Sequence, residues 1–372
     1  MSDFDSIDYE KEAERMRNDL RKKKKKRKKK LTPGQKVAGA IGKFFIVLIT
    51  TIIILFVFLF GVLMTLFHGP SESAKVILTS SLNETSALKW VPGLFLSDEE
   101  VQSILASNAM KEIEDGQVSD TSLIHVEEAE KGEEAIEIID ITGSTYRGKM
   151  MIIKDPSKVF LGTLDEYFQG DGKVVADYAD DYNAKGYNII GGVNGGEFVD
   201  AGSYSYSAMP IGTVISEGTV RYDDSAHNEV ITGFTSDNIL VVGNMSTEEA
   251  VAMGLRDCVN TKSTTGPALV IDGEAMTVPD TSVYGGGYNP RTAIGQRADG
   301  AVILVAIDGR QADSLGATFK DLAYLMLEYG AVNAAAMDGG TSTQMYYNGE
   351  VINDPYSPTG PRRCPTCWLV TQ

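Results

Sequence analysis

The stretch that decides the fold is Val332-Asn333-Ala334-Ala335-Ala336-Met337-Asp338-Gly339-Gly340-Thr341-Ser342. A short apolar run stops abruptly on an acid and two glycines, as a buried strand does when it delivers a polar side chain to a sheet edge. The same pattern recurs on either side. Tyr187 to Val193 leads into Asn194-Gly195-Gly196-Glu197-Phe198, and Ala301 to Ile307 leads into Asp308-Gly309-Arg310. Asn289-Pro290-Arg291 opens the run Thr292-Ala293-Ile294-Gly295. Glycine lets the chain turn sharply after a strand and removes a side chain that would crowd a ligand. Carboxylates, an amide and two arginines at such turns suit a polar, anionic substrate.

Outward from these motifs, further strands are expected at Ile136–Ile141, Lys149–Lys154, Ile211–Ser216, Gly218–Tyr222, Ile239–Gly243, Ala268–Ile271 and Thr292–Gln296. Helical spacing marks Lys173–Lys185 before Gly186, Ser246–Met253, and Thr318–Tyr329 before Gly330. Asp272-Gly273 and Asp299-Gly300 read as hairpin turns. Strands outnumber helices, which predicts an α+β domain over residues 135–372: a mixed β-sheet core packed by a few helices.

The charge divides the chain. Residues 1–43 carry 15 Lys+Arg and 7 Asp+Glu, whereas the rest carries 19 basic and 44 acidic residues. Arg21 to Lys30 is ten consecutive cations, followed by Phe44 to Phe67, 24 uncharged residues rich in Ile, Leu, Phe and Val. About 20 such residues span a bilayer core as a helix. The pattern predicts a basic cytoplasmic tail (1–43) and a single-pass transmembrane signal anchor (44–67). The rest is then extracytoplasmic, on a cell membrane, by the positive-inside tendency. A cleaved signal peptide usually has a shorter apolar region. Residues 1–20 read as disordered or as a loose amphipathic helix. The acidic ectodomain argues against a nucleic-acid partner. Residues 68–134 read as a small helical stalk and linker, with a helix over Ser71–Leu82 and a capping box at Ser97/Glu100.

Only three histidines occur, His68, His125 and His227, none in a glycine-flanked turn. A Ser-His-Asp triad or a His-rich zinc site is therefore not expected, no P-loop is present, and Gly285-Gly286-Gly287 lacks the dinucleotide fingerprint. Three cysteines exclude a disulfide framework, although Cys364-Pro365-Thr366-Cys367 invites a local disulfide outside the cell. In the fourth motif Asp338 would project at the strand end while the N–H groups around Gly339 and Gly340, with the Thr341 and Ser342 hydroxyls, form an anion nest. An Asx turn with no ligand is the equally plain reading of those residues.

The four motifs in this order, with Gly266-Pro267-Ala268-Leu269-Val270-Ile271-Asp272-Gly273 between them, resemble the phosphodiester glycosidase family over about residues 150–372. The family pattern usually has an aromatic where Glu197 stands and a third glycine where Thr341 stands. The resemblance implies hydrolysis of a sugar-1-phosphodiester to free sugar and a phosphomonoester, as a cell-envelope or exopolysaccharide activity on a glycosyl-phosphate polymer. Within that reading Asp338 activates water or attacks the anomeric carbon, with Asp308 and Glu197 in reserve. Arg291 and the Gly339–Gly340 backbone stabilise the departing phosphate, and Asn194 orients a sugar hydroxyl. Gly195, Gly196 and Arg310 complete the substrate contacts. No cofactor is required, although clustered carboxylates could bind Ca²⁺ or Mg²⁺. The alternatives are a non-catalytic glycan-binding or assembly-scaffold domain, which the Glu197 and Thr341 departures would suit, and a phosphodiesterase attacking phosphorus.

Overall fold

The computed structural model describes residues 9–26, 32–126, 135–199, 207–224, 230–261, 266–277, 283–357, 360 and 362–372. The chain forms two compact units, Met1–Thr65 and Leu66–Gln372. In the first, helix Tyr9–Lys26 precedes helix Pro33–His68. Proline takes the first helical position of the second helix, where its missing N–H costs nothing. Thr32 and Gln35 bond reciprocally, at 3.3 and 3.1 Å, to close its start. The apolar run therefore sits in a longer helix of 36 residues, long and apolar enough to cross a membrane.

The second unit is mixed α and β, with three sheets. The seven-stranded sheet runs in the order Ile136–Thr142, Arg147–Ile153, Val302–Ile307, Arg291–Arg297, Ala331–Ala336, Ala268–Ile271, Glu274–Ala275, all neighbours antiparallel. Strands Val302–Ile307 and Arg291–Arg297 are buried along nearly their whole length, as a central strand covered on both faces must be. A five-stranded sheet holds Glu350–Val351, Met345–Tyr347, Ile189–Asn194, Thr366–Thr371 and Val159–Thr163 in that order. Another holds Thr219–Asp223, Thr213–Ser216, Leu255–Thr261, Val230–Thr235 and Leu240–Asn244. Trp368 joins the sheets: its ring meets Phe234 edge-on at 5.7 Å and its indole N–H points at Met337 Sδ, 3.3 Å away.

Helix Phe319–Glu328 lays Phe319, Leu322, Ala323, Leu325 and Met326 on the core, behind a capping box of Thr318 and Asp321. Asp272 and Gly273 both take positive φ, 54° and 81°, in the tight hairpin between Ile271 and Glu274. Gly300, φ 89°, turns the chain between Arg291–Arg297 and Val302–Ile307.

Residues 66–126 pack onto this domain. Helices Glu72–Asn83 and Asp98–Ser107 form, capped by Ser71 and by the Ser97/Glu100 box. Beyond them Met110 and Ile113 enter the main apolar core. Phe67 is buried and stacks on Phe95 at 4.8 Å.

The expected local disulfide does not form: Cys258, Cys364 and Cys367 are all free and buried. Cys364 bridges to Lys173, Pro365 bends the chain, and Cys367 pairs across to Asn194 and Gly162 within the strand that follows.

Candidate active site

Antiparallel order brings the motifs together. Strand Arg291–Arg297 lies between Val302–Ile307 and Ala331–Ala336, pairing Arg291 with Ile307 and Ala293 with Ala336. The start of the middle strand and the ends of its two neighbours therefore share one edge of the sheet, which places Arg291, Asp308-Gly309-Arg310 and Asp338-Gly339 side by side. The Asp338 N–H donates to Gly195 O at 3.1 Å and sews the end of strand Ile189–Asn194 to the same edge.

Asn194 is the bracket that holds the motifs in register. Its Nδ2 donates to the Asp338 carbonyl at 2.6 Å, and its Oδ1 accepts from Thr292 Oγ1 at 2.8 Å and from Gln344 N at 3.2 Å. Fully buried and so occupied, it does not meet a sugar hydroxyl as the sequence suggested. The neighbouring glycines serve the backbone too. A Cβ on Gly195 would stand 2.4 Å from Thr366 Oγ1, and one on Gly196 would stand 2.7 Å from Asn260 O. They permit close strand packing rather than ligand access.

Arg291 also differs from expectation. The residue is 4% exposed, and its guanidinium lies 3.7 Å above the Phe319 ring. It donates from Nε to Ala317 O at 3.1 Å and from Nη2 to Gly287 O and Glu84 Oε2, both at 2.7 Å. With these partners it is a buried clamp behind the site.

Arg310 takes the forward position. It adopts φ 60°, and its Nε donates to Asn289 Oδ1 at 3.1 Å. Its terminal nitrogens lie over Gly340, whose Cβ, if present, would stand 3.2 Å from Nη2 and 3.5 Å from Nη1. Among the described residues no hydrogen bond engages those two nitrogens. Burial and then the nearby Arg291 charge push its pKa down, against the opposing pull of Glu84, Tyr356 and Asp338. An arginine held beside a second arginine in a partly dry setting is relieved by an incoming anion.

Asp338 is half-buried, and its charge is felt both by Arg310 and by the Cys364 thiol. The Gly340–Ser342 segment is a short 3₁₀ turn. In it Gly340 N–H donates to Pro290 O at 2.9 Å and Ser342 N–H to Gly339 O at 3.2 Å, so two N–H groups of the expected anion nest are already engaged. Ser342 is buried against Cys364, and Thr341 stays half-exposed.

Asp308 is buried away from solvent. Its Oδ1 accepts from Asn353 Nδ2 at 3.0 Å and from Asp354 N at 2.8 Å, and Arg147 Nη1 lies 4.0 Å from Oδ2. Burial raises its pKa despite those donors. It braces the loop after Val351. Glu197 is half-buried, its backbone tied to Asn260 O and to Ile211 N.

Three residues had no motif to announce them: Glu84, Tyr356 and Arg362. Arg362 lies 5.4 Å over the Phe198 ring and acts electrostatically on Cys364 with Asp338. Two surface depressions, one between Arg297 and Gly330 and one around Tyr167, Phe168, Arg221 and Tyr222, contain none of these groups. Among the described residues no three of His, Cys, Asp and Glu converge to hold a metal ion.

This edge gathers polar and charged side chains on an α+β scaffold, and comparison with known proteins gives the family of the domain. Residues 187–371 match the family described as phosphodiester glycosidase, and the chain therefore carries a domain of that family. The fold is that of the catalytic domain of zebrafish N-acetylglucosamine-1-phosphodiester α-N-acetylglucosaminidase (NAGPA), a structure auto-inhibited by its pro-peptide. The two superpose with a TM-score of 0.53 at 18% identity, over 71% of this chain and 97% of that one. A 66-residue stretch is 44% identical to the SPbeta prophage-derived uncharacterized protein YomE of Bacillus subtilis (strain 168). That stretch spans 18% of this chain and 10% of the relative.

Proposed function

We propose that this protein is a membrane-anchored, extracytoplasmic phosphodiester glycosidase that cleaves a glycosyl-1-phosphodiester in a cell-envelope polymer. The observation that carries this reading is the Arg310 guanidinium, fixed at Nε by Asn289 and otherwise turned over Gly340 within the field of Asp338. A phosphodiester carries one negative charge and gains a second when it leaves as a phosphomonoester. A guanidinium with both terminal nitrogens available meets that growing charge with paired hydrogen bonds. Arg291, neutralised by Glu84, supports Arg310 from behind instead of touching phosphate.

Asp338 is the carboxylate for the sugar side of the scissile bond. As the C–O bond at the anomeric carbon lengthens toward an oxocarbenium-like state, Asp338 either removes a proton from attacking water or bonds to the carbon itself. The departing phosphate takes the electron pair of the broken bond. A phosphate leaves readily, so a strong general acid is not needed on that side. The basic tail and apolar helix would place the domain outside the membrane by charge asymmetry.

The test uses the full chain in detergent with the methyl phosphodiesters of α-glucose, α-N-acetylglucosamine and α-mannose 1-phosphate, with and without chelator. The expected products are free sugar and methyl phosphate. Asp338→Asn should lower kcat by on the order of 10³-fold with an unchanged melting curve. Saturable binding of these diesters with no turnover would support the scaffold reading instead.

A further inference from the structure

We infer that Glu84, in the juxtamembrane segment and outside the family-matched residues, is a positioning residue that orients Arg310 through Asn289. This rests on the reading of Arg310 as the phosphate ligand. Glu84 follows helix Glu72–Asn83 and is held at its end by a bond from Glu84 N to Ser80 O at 3.0 Å. From there its carboxylate reaches across 207 positions of sequence to Arg291 Nη2 at 2.7 Å. The same Oε2 accepts from Asn289 Nδ2 at 2.9 Å, and Oε1 accepts from Gly287 N at 2.7 Å.

The consequence lies in the Asn289 amide. A carboxylate only accepts, so it selects the NH₂ end of that amide and turns the carbonyl end the other way. Oδ1 then faces Arg310 and accepts its Nε at 3.1 Å. Without Glu84 the NH₂ end of the amide loses its acceptor, and only the Arg310 Nε contact still favours this orientation. The reversed amide would present NH₂ to a guanidinium, donor against donor. The loop itself is gripped by the same segment: Asn108 Nδ2 donates to Ser80 Oγ at 3.0 Å and to Gly286 O at 3.1 Å, while Tyr288 N donates to Ser81 Oγ at 2.9 Å. No hydrogen bond joins Glu84 to Arg310, whose terminal nitrogens lie over Gly340 with no hydrogen bond among the described residues. Glu84 therefore stands behind the site and does not plug it.

The test follows the Arg310 Nε–H signal of ¹⁵N-arginine-labelled full chain in detergent, assigned with Arg310→Lys, alongside turnover of the three methyl phosphodiesters. Glu84→Ala and Asn289→Ala should each displace that signal and lower kcat/KM on the order of tenfold. Asn289→Ala leaves the Glu84–Arg291 pair intact and decides the matter if Glu84→Ala does not fold. Added formate should return activity to Glu84→Ala and leave the parent unchanged. In an Arg310→Ala background the Glu84→Ala loss should shrink to within about twofold, since both act through one guanidinium. An unmoved Arg310 signal, a loss that multiplies independently of Arg310, or faster turnover in Glu84→Ala would each overturn the inference. A displaced signal together with wild-type turnover in Arg310→Ala would uphold the positioning and refute the reading of Arg310 as phosphate ligand.

Discussion

Arg291 and Arg310 have the same charge and different work, and burial separates them. Removing Arg291 leaves the Glu84 carboxylate without its cationic partner and the Gly287 carbonyl without the Arg291 donor. Arg291→Ala should therefore cost about 3–5 kcal/mol of stability, as breaking a buried pair does, measured by urea unfolding of the full chain. Arg310→Lys should melt within a few degrees of the parent and yet lose turnover, because an ammonium cannot give two parallel bonds to phosphate. Asp308 supplies a pH signature. Its folded pKa is raised above 3.8 chiefly by burial, so the folded protein keeps this proton to higher pH than the unfolded chain. The associated stability is full below 3.8 and is lost as pH climbs through the raised value. Asp308→Asn, which still accepts from Asn353 and Asp354, should lose less stability than the parent between pH 3.5 and 7 in paired melts. Equal losses would show that Asp308 is not desolvated as described.

At the level of elements, the sequence was most readable where one periodicity and one boundary coincided. Thr318–Tyr329 and Ser97–Glu100 announced themselves by spacing and caps, and Ala331–Ala336 by the acid-glycine stop. Val159–Thr163 gave no such sign, because all five of its residues are buried and nothing alternates. Leu255–Thr261 was hidden by Arg256, Asp257 and Asn260, polar residues that read as loop. Asp257 is in fact buried against Arg256, and Asn260 Oδ1 accepts from Thr213 N at 2.9 Å. In the site, the residues at strand ends were visible, while their division into brackets, clamp and ligand was not. Asn194 and Arg291 look like ligands until their partners are known, and Glu84 is 207 positions from the arginine it holds. The Cys364–Cys367 segment yields its own prediction. Thiol labelling of the folded chain at pH 8 should be slow at all three cysteines, with burial pushing the Cys258 pKa up to about 12. Unfolding without reductant should expose three reactive thiols, whereas one reactive thiol would reveal a disulfide.

Over the whole molecule, the family-matched residues 187–371 share their main apolar core with Met110, Ile113, Ile141 and Met150 to Ile153, which lie outside the match. Phe67, Leu96, Val101, Ile104, Met110, Ile113 and Ile124 are all buried within Leu66–Gln372. Each contributes about 1.5–3 kcal/mol on burial, a sum comparable to a whole domain's net stability before chain entropy is subtracted. A chain beginning at Leu66 should melt in one cooperative step, while one beginning at residue 135 should aggregate or melt at least ~10 °C lower. The proposed reaction breaks the bond between the anomeric carbon and the phosphate oxygen. The most direct measurement is turnover of a methyl glycosyl-1-phosphodiester in ¹⁸O-water, with the products read by mass spectrometry. Attack at the anomeric carbon puts the label in the sugar and leaves methyl phosphate unlabelled, which is the predicted result. Label in the phosphate would mean attack at phosphorus and would contradict the account.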